Sequence, residues 1–209
     1  MNATDTMTKM APRVTTMIRM DHTHVLATFH KYRYDTAPDK KKALVDHITD
    51  ALSVHAQLEE EIFYPAMRDA APDVIGKSFP EHGEMKRKIA DLRTMAPGTP
   101  SYDDTVYELM RAVIHHVADE ETILLPAAER TIPERLEELG WAMTRRRFEL
   151  VGPRAGQMAV NVARSYPALV LGAGAVVILG ALMAVHGTRN DWQKSVQRPA
   201  RRLLSRMRA

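Results

Sequence analysis

Apolar residues recur every three or four positions along most of the first 150 residues, which is the spacing typical of amphipathic helices. Runs of alternating apolar and polar residues long enough for a strand are not found in this region. The pattern therefore predicts an all-α fold. The predicted helices begin near residue 13, near residue 39, between Pro72 and Pro80, among residues 101–104 and near residue 133. The first of them is expected to end near Tyr34.

Short connections, such as the Pro-Gly-Thr-Pro turn at residues 97–100, make the first four helices antiparallel neighbours. They predict an up-down-up-down four-helix bundle, followed by the shorter fifth helix. At a rise of about 1.5 Å per residue, the distances from the turns place one histidine of each helix at nearly the same height. The inward-facing stripes carry six polar residues: His22, His55, Glu59, His82, His116 and Glu120.

One motif occurs twice in the chain, as HAQLEEEIFYP from His55 and as HVADEETILLP from His116. Residues four apart in a helix share a face, so each copy presents an imidazole and a carboxylate together. Four histidines and two glutamates at one level of a bundle core would be very costly without a cation. The pattern therefore predicts a metal site, with the six inward-facing residues as its ligands.

Other polar residues near the stripes are expected to have less direct roles. His115 is turned about 100° from His116, and His24 is turned away from the core, so both should face solvent. By spacing, Lys86 shares the inward face with His82. Its ammonium should reach past the layer to a carboxylate or lose its proton through burial, unless its long stem extends away from the site. Glu60 and Glu121 should be solvated or support the site, and either remains open as an alternative ligand. His30 and His47 should lie at the boundary of the site or support it.

The composition limits which metal ligands the chain can offer. The 209 residues include no cysteine, which removes disulfides, thiolate ligands and iron–sulfur clusters. Any metal must therefore be held by nitrogen and oxygen. The formal net charge of +3 owes much to a basic tail at residues 186–209. Because aromatic residues do not interleave with basic ones across a folded face, we do not expect nucleic-acid binding.

Residues 168–185 form an uncharged apolar stretch of 18 residues, close to the lower limit of about 17 for a membrane-spanning helix. A buried core helix is the alternative, but the predicted bundle is already complete. Glycines within the stretch favour helix pairing in lipid and hence a homo-oligomer. Residues 1–20 lack the apolar core of a secretory signal, so the bundle is expected on the cytoplasmic side of the membrane. The predicted order is a disordered N-terminus (1–12), the bundle (13–150), a linker (151–167), the membrane helix (168–185) and the tail (186–209).

These residues resemble the hemerythrin-like family, also described as the HHE cation-binding domain. The matching motifs, in order over about residues 13–150, are Asp21-His22, His55-x-x-x-Glu59-Glu60 with Tyr64-Pro65, Glu81-His82 and His116-x-x-x-Glu120-Glu121. The resemblance implies a bundle around a non-haem di-iron centre, bridged by the carboxylates and a solvent-derived oxygen. It also implies binding of, or reaction with, O2, NO or peroxide.

Two positions depart from the oxygen-carrying members of that family. Those have a histidine where this chain has Lys86, and an aspartate where it has Glu121. Two six-coordinate irons offer about twelve positions, and the predicted ligands with one oxygen bridge would fill about ten of them. The remaining open positions suit reaction better than reversible oxygen storage.

Three functions remain open at this point. The first is a membrane-tethered di-iron protein that binds O2 or NO or consumes peroxide, with turnover undecided. The second is a metal-binding or iron-sensing module without turnover. The third is a helical interaction domain whose histidines are structural. Histidine and carboxylate donors also suit zinc and manganese, so the sequence leaves the metal open.

Overall fold

The computed structural model describes residues 12–152 and residue 156. These residues belong to one compact unit spanning residues 1–165. All regular elements in the described part are helical, which confirms the all-α class. In chain order the α-helices are α1 (Val14–Phe29), α2 (Pro38–Leu58), α3 (Tyr64–Met67), α4 (Pro72–Thr94), α5 (Pro100–Asp119), α6 (Leu125–Thr131) and α7 (Leu136–Val151). Two π-helical turns, Glu59–Phe63 and Glu120–Leu124, join α2 to α3 and α5 to α6, and a 3₁₀ turn, Pro133–Arg135, precedes α7.

Helices α1, α2, α4 and α5 form the four-helix bundle. Each packs against the next in the chain, and α5 closes the ring by packing against α1. Helix α7 lies outside the bundle and contacts both α1 and α2. Gly140 permits this approach, because a Cβ atom there would lie 1.9 Å from the carbonyl oxygen of Pro12. A side chain at this position would push α7 away from α1.

The buried apolar residues form two clusters. One contains Ile18, Leu58 and Leu124, and the other contains Val25, Leu52 and Val113. Along each bundle helix the inward-facing histidine falls between residues of the two clusters. The histidines and glutamates therefore make a polar layer across the bundle, with an apolar cluster on each side.

Each π-helical turn ends two residues before the proline of its motif copy. Proline lacks an N–H group and its ring clashes with the carbonyl four residues earlier in an α-helix. Here the N–H of Tyr64 donates to the carbonyl of Glu59, and the N–H of Leu125 donates to that of Glu120. Each of these bonds spans five residues instead of four, so each turn accommodates one extra residue. Such turns are frequent at functional sites.

The extra residue changes which side chains face the core. A constant helical period predicts Ile62 and Ile123 on the inward stripes, but Ile62 is only partly buried and Ile123 is 48% exposed. Phe63 and Leu124, one residue later in each copy, are fully buried instead. The prediction for these two positions was wrong because a period of about 3.6 residues does not hold through a π-helical turn.

Three further details differ from the sequence-based expectation. Helix α1 ends at Phe29, five residues before the predicted end. Helix α5 begins at Pro100, and the residue that caps it is Thr99, whose side chain accepts a hydrogen bond from the backbone N–H of Tyr102. Proline suits the first helical position because its missing N–H would have no partner there. The helical spacing that places His82 on the inward face predicts Phe79 there too, but Phe79 is 43% exposed.

Within the described residues, none of the helices combines the length and apolar character that crossing a membrane requires. The predicted membrane segment, residues 168–185, lies outside the described residues. The same holds for residues 1–11 of the predicted N-terminal segment, for nearly all of the predicted linker and for the basic tail.

Candidate metal centre

The polar layer brings together every residue that the sequence predicts as a metal ligand. All six side chains are buried. They are His22 on α1, His55 on α2, Glu59 in the first π-helical turn, His82 on α4, His116 on α5 and Glu120 in the second π-helical turn. Each bundle helix thus contributes one imidazole, and each motif copy contributes one carboxylate.

The donor atoms form two overlapping groups. In the first, one donor atom each of His22, His55, Glu59 and Glu120 lie within 4.8 Å of one another. The second joins Glu59 to His82 and His116 within the same limit. Oε2 of Glu59 lies 3.2 Å from Nε2 of His55 and 3.5 Å from Nε2 of His82. Because Glu59 belongs to both groups, the arrangement fits two neighbouring cations with one carboxylate between them.

Several donor atoms in the layer are unsatisfied. Among the described residues, Oε1 of Glu59, Oε2 of Glu120 and Nε2 of His22 have no hydrogen-bond partner. Nε2 of His22 lies 3.2 Å from Oε2 of Glu120, but the contact lacks hydrogen-bond geometry. Buried polar atoms without partners are rare in native proteins, and buried carboxylates are costly. Cations at this layer would satisfy these atoms, so the residues fit a metal centre.

Each imidazole is supported by a carboxylate on its outer side. The Nδ1 atoms of His22, His55, His82 and His116 lie 2.9, 3.4, 3.0 and 2.8 Å from carboxylate oxygens of Glu121, Asp21, Glu60 and Glu81, respectively. A carboxylate accepts, so Nδ1 carries the proton and donates, and the lone pair of Nε2 is directed into the layer. Glu60 and Glu121, whose roles the sequence left open, therefore lie outside the layer and orient histidines.

Basic side chains in turn contact these four outer carboxylates. Lys86 is an example: its ammonium lies 2.6 Å from Oε2 of Glu60, and its side chain is 48% exposed. Lys86 therefore extends away from the site, as one of the expectations had it, and its ammonium binds a carboxylate outside the layer. The other contacts are Arg147 to Asp21, Arg19 to Glu121 and His115 to Glu81.

The remaining histidines divide as follows. His115 is exposed, as predicted. His24 is also exposed, as predicted, and it contacts His47, with the Nε2 atoms of the two rings 2.7 Å apart. His47 is buried, and burial, with a smaller contribution from His24, lowers its pKa to about 4. One imidazole of this pair therefore packs between α1 and α2 in its neutral form, away from the predicted ligands.

The charges of the layer shift pKa values strongly. Burial and repulsion from Glu120 raise the pKa of Glu59. Burial alone would lower the pKa of His22, but its contacts with Glu120 and Glu59 outweigh burial and raise it to about 9. Burial alone would raise the pKa of Glu120, but the contact with His22 and the nearby imidazoles lower it. Protons and metal ions therefore compete for the same donor atoms.

Tyr64 reaches the layer although the sequence did not predict it as a site residue. Its hydroxyl lies 2.9 Å from Oε1 of Glu120 and 3.2 Å from Nε2 of His82. Burial and the neighbouring carboxylates raise its pKa, so the hydroxyl keeps its proton and donates to Glu120. The second motif copy has Leu125 at the equivalent position. This difference between the two copies was the available signal in the sequence.

A small cavity adjoins the layer. It is lined by all four inward-facing histidines and by apolar side chains of the second cluster, among them Val25, Leu52 and Val113. Its volume of about 10 Å³ accommodates a molecule about the size of water. Tyr64 is not among the residues that line this cavity, and it packs in the first apolar cluster instead.

Several known proteins are similar to this chain. A DNA nickase of Nostoc sp. (strain PCC 7120) is 31% identical over 127 residues, which cover 60% of this chain but only 36% of that protein. The uncharacterized protein Rv2633c of Mycobacterium tuberculosis is 28% identical over 117 residues, covering 54% of this chain and 71% of that protein. The chain thus spans about a third of the Nostoc protein.

A solved structure is also similar, the hemerythrin HHE cation-binding domain-containing protein of Mycobacterium kansasii, a homologue of Rv2633c. It superposes with a TM-score of 0.60 and 21% identity, covering 74% of this chain and 99% of that chain, which shows a common fold. The family model described as the hemerythrin HHE cation binding domain matches residues 13–128. This match covers more than half of the chain and confirms the resemblance seen in the motifs. The chain belongs to the hemerythrin HHE cation-binding domain family.

Proposed function

We propose that the bundle holds two metal ions, with iron as the first candidate, among the six buried ligands. The observation that carries this proposal is the pair of overlapping donor groups that share Glu59. Imidazole and carboxylate donors suit iron, and they suit manganese and zinc as well. When bound, a pair of iron ions would supply Lewis acidity and redox chemistry toward a small ligand such as O2, NO or peroxide.

The chain's own residues would prepare the site for such a ligand. The outer carboxylates hold the imidazoles with Nε2 directed into the layer. Apolar side chains form much of the cavity wall, and the cavity's size favours a small ligand over a larger substrate. The hydroxyl of Tyr64 holds a proton beside Glu120. These features support binding or reaction of a small oxidant as the function.

A metal-binding or iron-sensing module without turnover would use the same ligands. Measurements of O2 and peroxide consumption by the metal-loaded, full-length protein separate the two functions. Consumption that depends on metal content supports the reactive centre. Full metal content without consumption would favour the sensing module. The nicking activity named for the Nostoc protein is not part of the proposal, because the match covers 36% of that protein.

The metal site itself is tested with two adjacent histidines. The side chain of His116 is 2% exposed and lies in the layer, whereas that of His115 is 73% exposed. We expect His116→Ala to lose most of the bound metal and His115→Ala to keep it, measured as metal per folded protein. Equal metal content in both variants would contradict the assignment. A wild-type protein without metal after metal loading would favour structural histidines.

We also propose that residues 168–185 tether the bundle to a membrane, with the bundle in the cytoplasm and with helix pairing as a route to a homo-oligomer. The support is the absence of charge over 18 residues, together with three glycines at positions 172, 174 and 180. A tethered protein should remain in the membrane fraction through a high-salt wash, which screens the basic tail. Release by salt would contradict the tether.

A further inference from the structure

We propose that Arg147 of α7 is a positioning residue of the metal centre and acts on His55 through Asp21. This inference rests on the proposed metal site. It starts from the four outer carboxylates, each of which is contacted by a basic side chain. Arg19, Lys86 and His115 belong to the bundle helices α1, α4 and α5. Arg147 alone among these four comes from α7, outside the bundle.

Arg147 binds the carboxylate of Asp21 with two parallel hydrogen bonds. Nη1 donates to Oδ1 at 2.8 Å, and Nη2 donates to Oδ2 at 2.5 Å. This two-point geometry is specific to guanidinium, and it fixes both the place and the plane of a carboxylate. Oδ2, the same oxygen, lies 3.4 Å from Nδ1 of His55. Arg147 therefore sets the orientation of the Asp21 carboxylate oxygen that contacts His55.

The contact between His55 and Asp21 is the longest of the four between a histidine and its outer carboxylate. A contact near the outer limit of a hydrogen bond is easily lost when the acceptor rotates. Asp21 is also the shortest of the four outer acids, because the other three are glutamates. Of the four imidazoles, His55 should therefore depend most on a residue that holds its carboxylate in place.

Helix α7 is itself well anchored on the bundle. Gly140 brings it against the chain at Pro12, and Arg146 binds Glu61 of the first motif copy with Nε 2.7 Å from Oε2. Arg147, next in sequence, thus projects from a helix whose position is set by independent contacts. Helix α7 consequently completes the metal centre, although it supplies none of the predicted ligands.

The test measures metal affinity of the full-length protein by competition with a chelator, with Fe²⁺ alone under anaerobic conditions as the probe. Arg147→Met keeps much of the apolar stem and removes the guanidinium. We expect it to weaken binding by about tenfold, the lower end of the effect of residues that orient metal ligands. Arg147→Lys should recover part of the loss, because it restores the charge but not the two-point geometry.

Arg145→Met is the matched control on the same helix. The Arg145 side chain is 76% exposed, and its ion pair is with Glu149 at 3.6 Å. Removing this charge should leave the affinity within about twofold of wild type, since exposed ion pairs contribute little. Equal weakening by Arg145→Met and Arg147→Met would indicate a general effect of charge and would overturn the proposal.

A double-mutant cycle separates positioning from simple packing of α7. If Arg147 acts through Asp21, then Arg147→Met should change the affinity no further once Asp21→Asn is present. Additive losses would mean that Arg147 acts by another route and would overturn the inference, as would unchanged affinity in Arg147→Met alone.

A second measurement does not depend on metal. The side-chain ¹⁵N shifts of His55 in the metal-free protein report which ring nitrogen carries the proton. Arg147→Met, but not Arg145→Met, should reduce the population with the proton on Nδ1. Wild-type protein that binds no metal would overturn the proposed function, whereas unchanged His55 shifts in Arg147→Met would overturn only the role of Arg147.

Discussion

The bundle contains two buried clusters of charged residues, and they differ in how the negative charge of their carboxylates is neutralised. In one, the ammonium of Lys41 lies 2.7 Å from both carboxylate oxygens of Asp103, and the hydroxyl of Tyr32 donates to the same carboxylate. In the polar layer of the candidate metal centre, Glu59 and Glu120 form ion pairs with histidines alone among the described residues. The Lys41–Asp103 cluster supplies its own cation, whereas the polar layer leaves carboxylate oxygens of Glu59 and Glu120 without hydrogen-bond partners.

This difference shows which property of buried charge indicates a metal site. Lys41 and Asp103 are as buried as the layer, with side chains 3% exposed, so burial alone does not separate the two clusters. The unsatisfied oxygens do, because a carboxylate without a partner in a low-dielectric interior is costly. The carboxylate of the Lys41–Asp103 cluster should therefore stabilise the fold, whereas Glu59, whose pKa is raised by burial and by Glu120, should destabilise it until a cation binds.

The largest expected effect on stability is at the Lys41–Asp103 cluster. Asp103→Ala leaves the ammonium of Lys41 buried without its partner, and we expect a loss of about 3–5 kcal/mol in the free energy of unfolding. Denaturant unfolding measures this loss. The double variant Asp103→Leu with Lys41→Met should recover most of it, because no charge then remains buried. A loss below about 1 kcal/mol in Asp103→Ala would show that the pair contributes little.

The next effect is a pH dependence confined to the metal layer. The pKa of His22 is raised to about 9 in the folded protein, so its stabilising contact is fully present below pH 6.5 and is lost as the pH rises through 9. Ionisation of Glu59, whose pKa is also raised, acts in the same direction. Metal-free protein should therefore lose about 2 kcal/mol of stability between pH 6.5 and pH 9.

Thermal unfolding at several pH values measures this loss. His22→Gln removes the titrating imidazole and should flatten the profile over the same range. Metal-bound protein should also show a flatter profile, because a metal ligand keeps its ring nitrogen deprotonated at both pH values. A metal-free profile that rises between pH 6.5 and pH 9 would contradict the interaction between His22 and the two glutamates.

The smallest effect has the opposite sign from the first. Glu59→Gln removes one of two neighbouring buried carboxylates while keeping its size, so we expect metal-free protein to gain about 1–2 kcal/mol of stability. The same variant should lose metal, because the carboxylate common to both donor groups is gone. Glu84→Gln, whose side chain is 51% exposed, is the control and should change neither quantity. Destabilisation of the metal-free protein by Glu59→Gln would remove the contrast between the clusters.

Local geometry made much of this site predictable from the sequence. The four-residue spacing within His55-x-x-x-Glu59 puts both side chains on one helical face whatever the helix packs against. The repeat of this spacing from His116 and the short turns between helices then place the ligands at one level. The departures at Ile62 and Ile123 are also local, because each lies in a π-helical turn, which a constant helical period cannot represent.

Tertiary structure alone decided which side chains meet across helices. Glu60 supports His82 on another helix, and Arg147 reaches Asp21 across 126 positions of sequence. Such contacts depend on the rotation of each helix about its axis and on its height in the bundle, to within an ångström or so. Sequence spacing does not set these quantities, because they follow from how all the side chains of the core pack together. The six residues of the polar layer were therefore predictable from the sequence, whereas packing decided which residues orient their side chains.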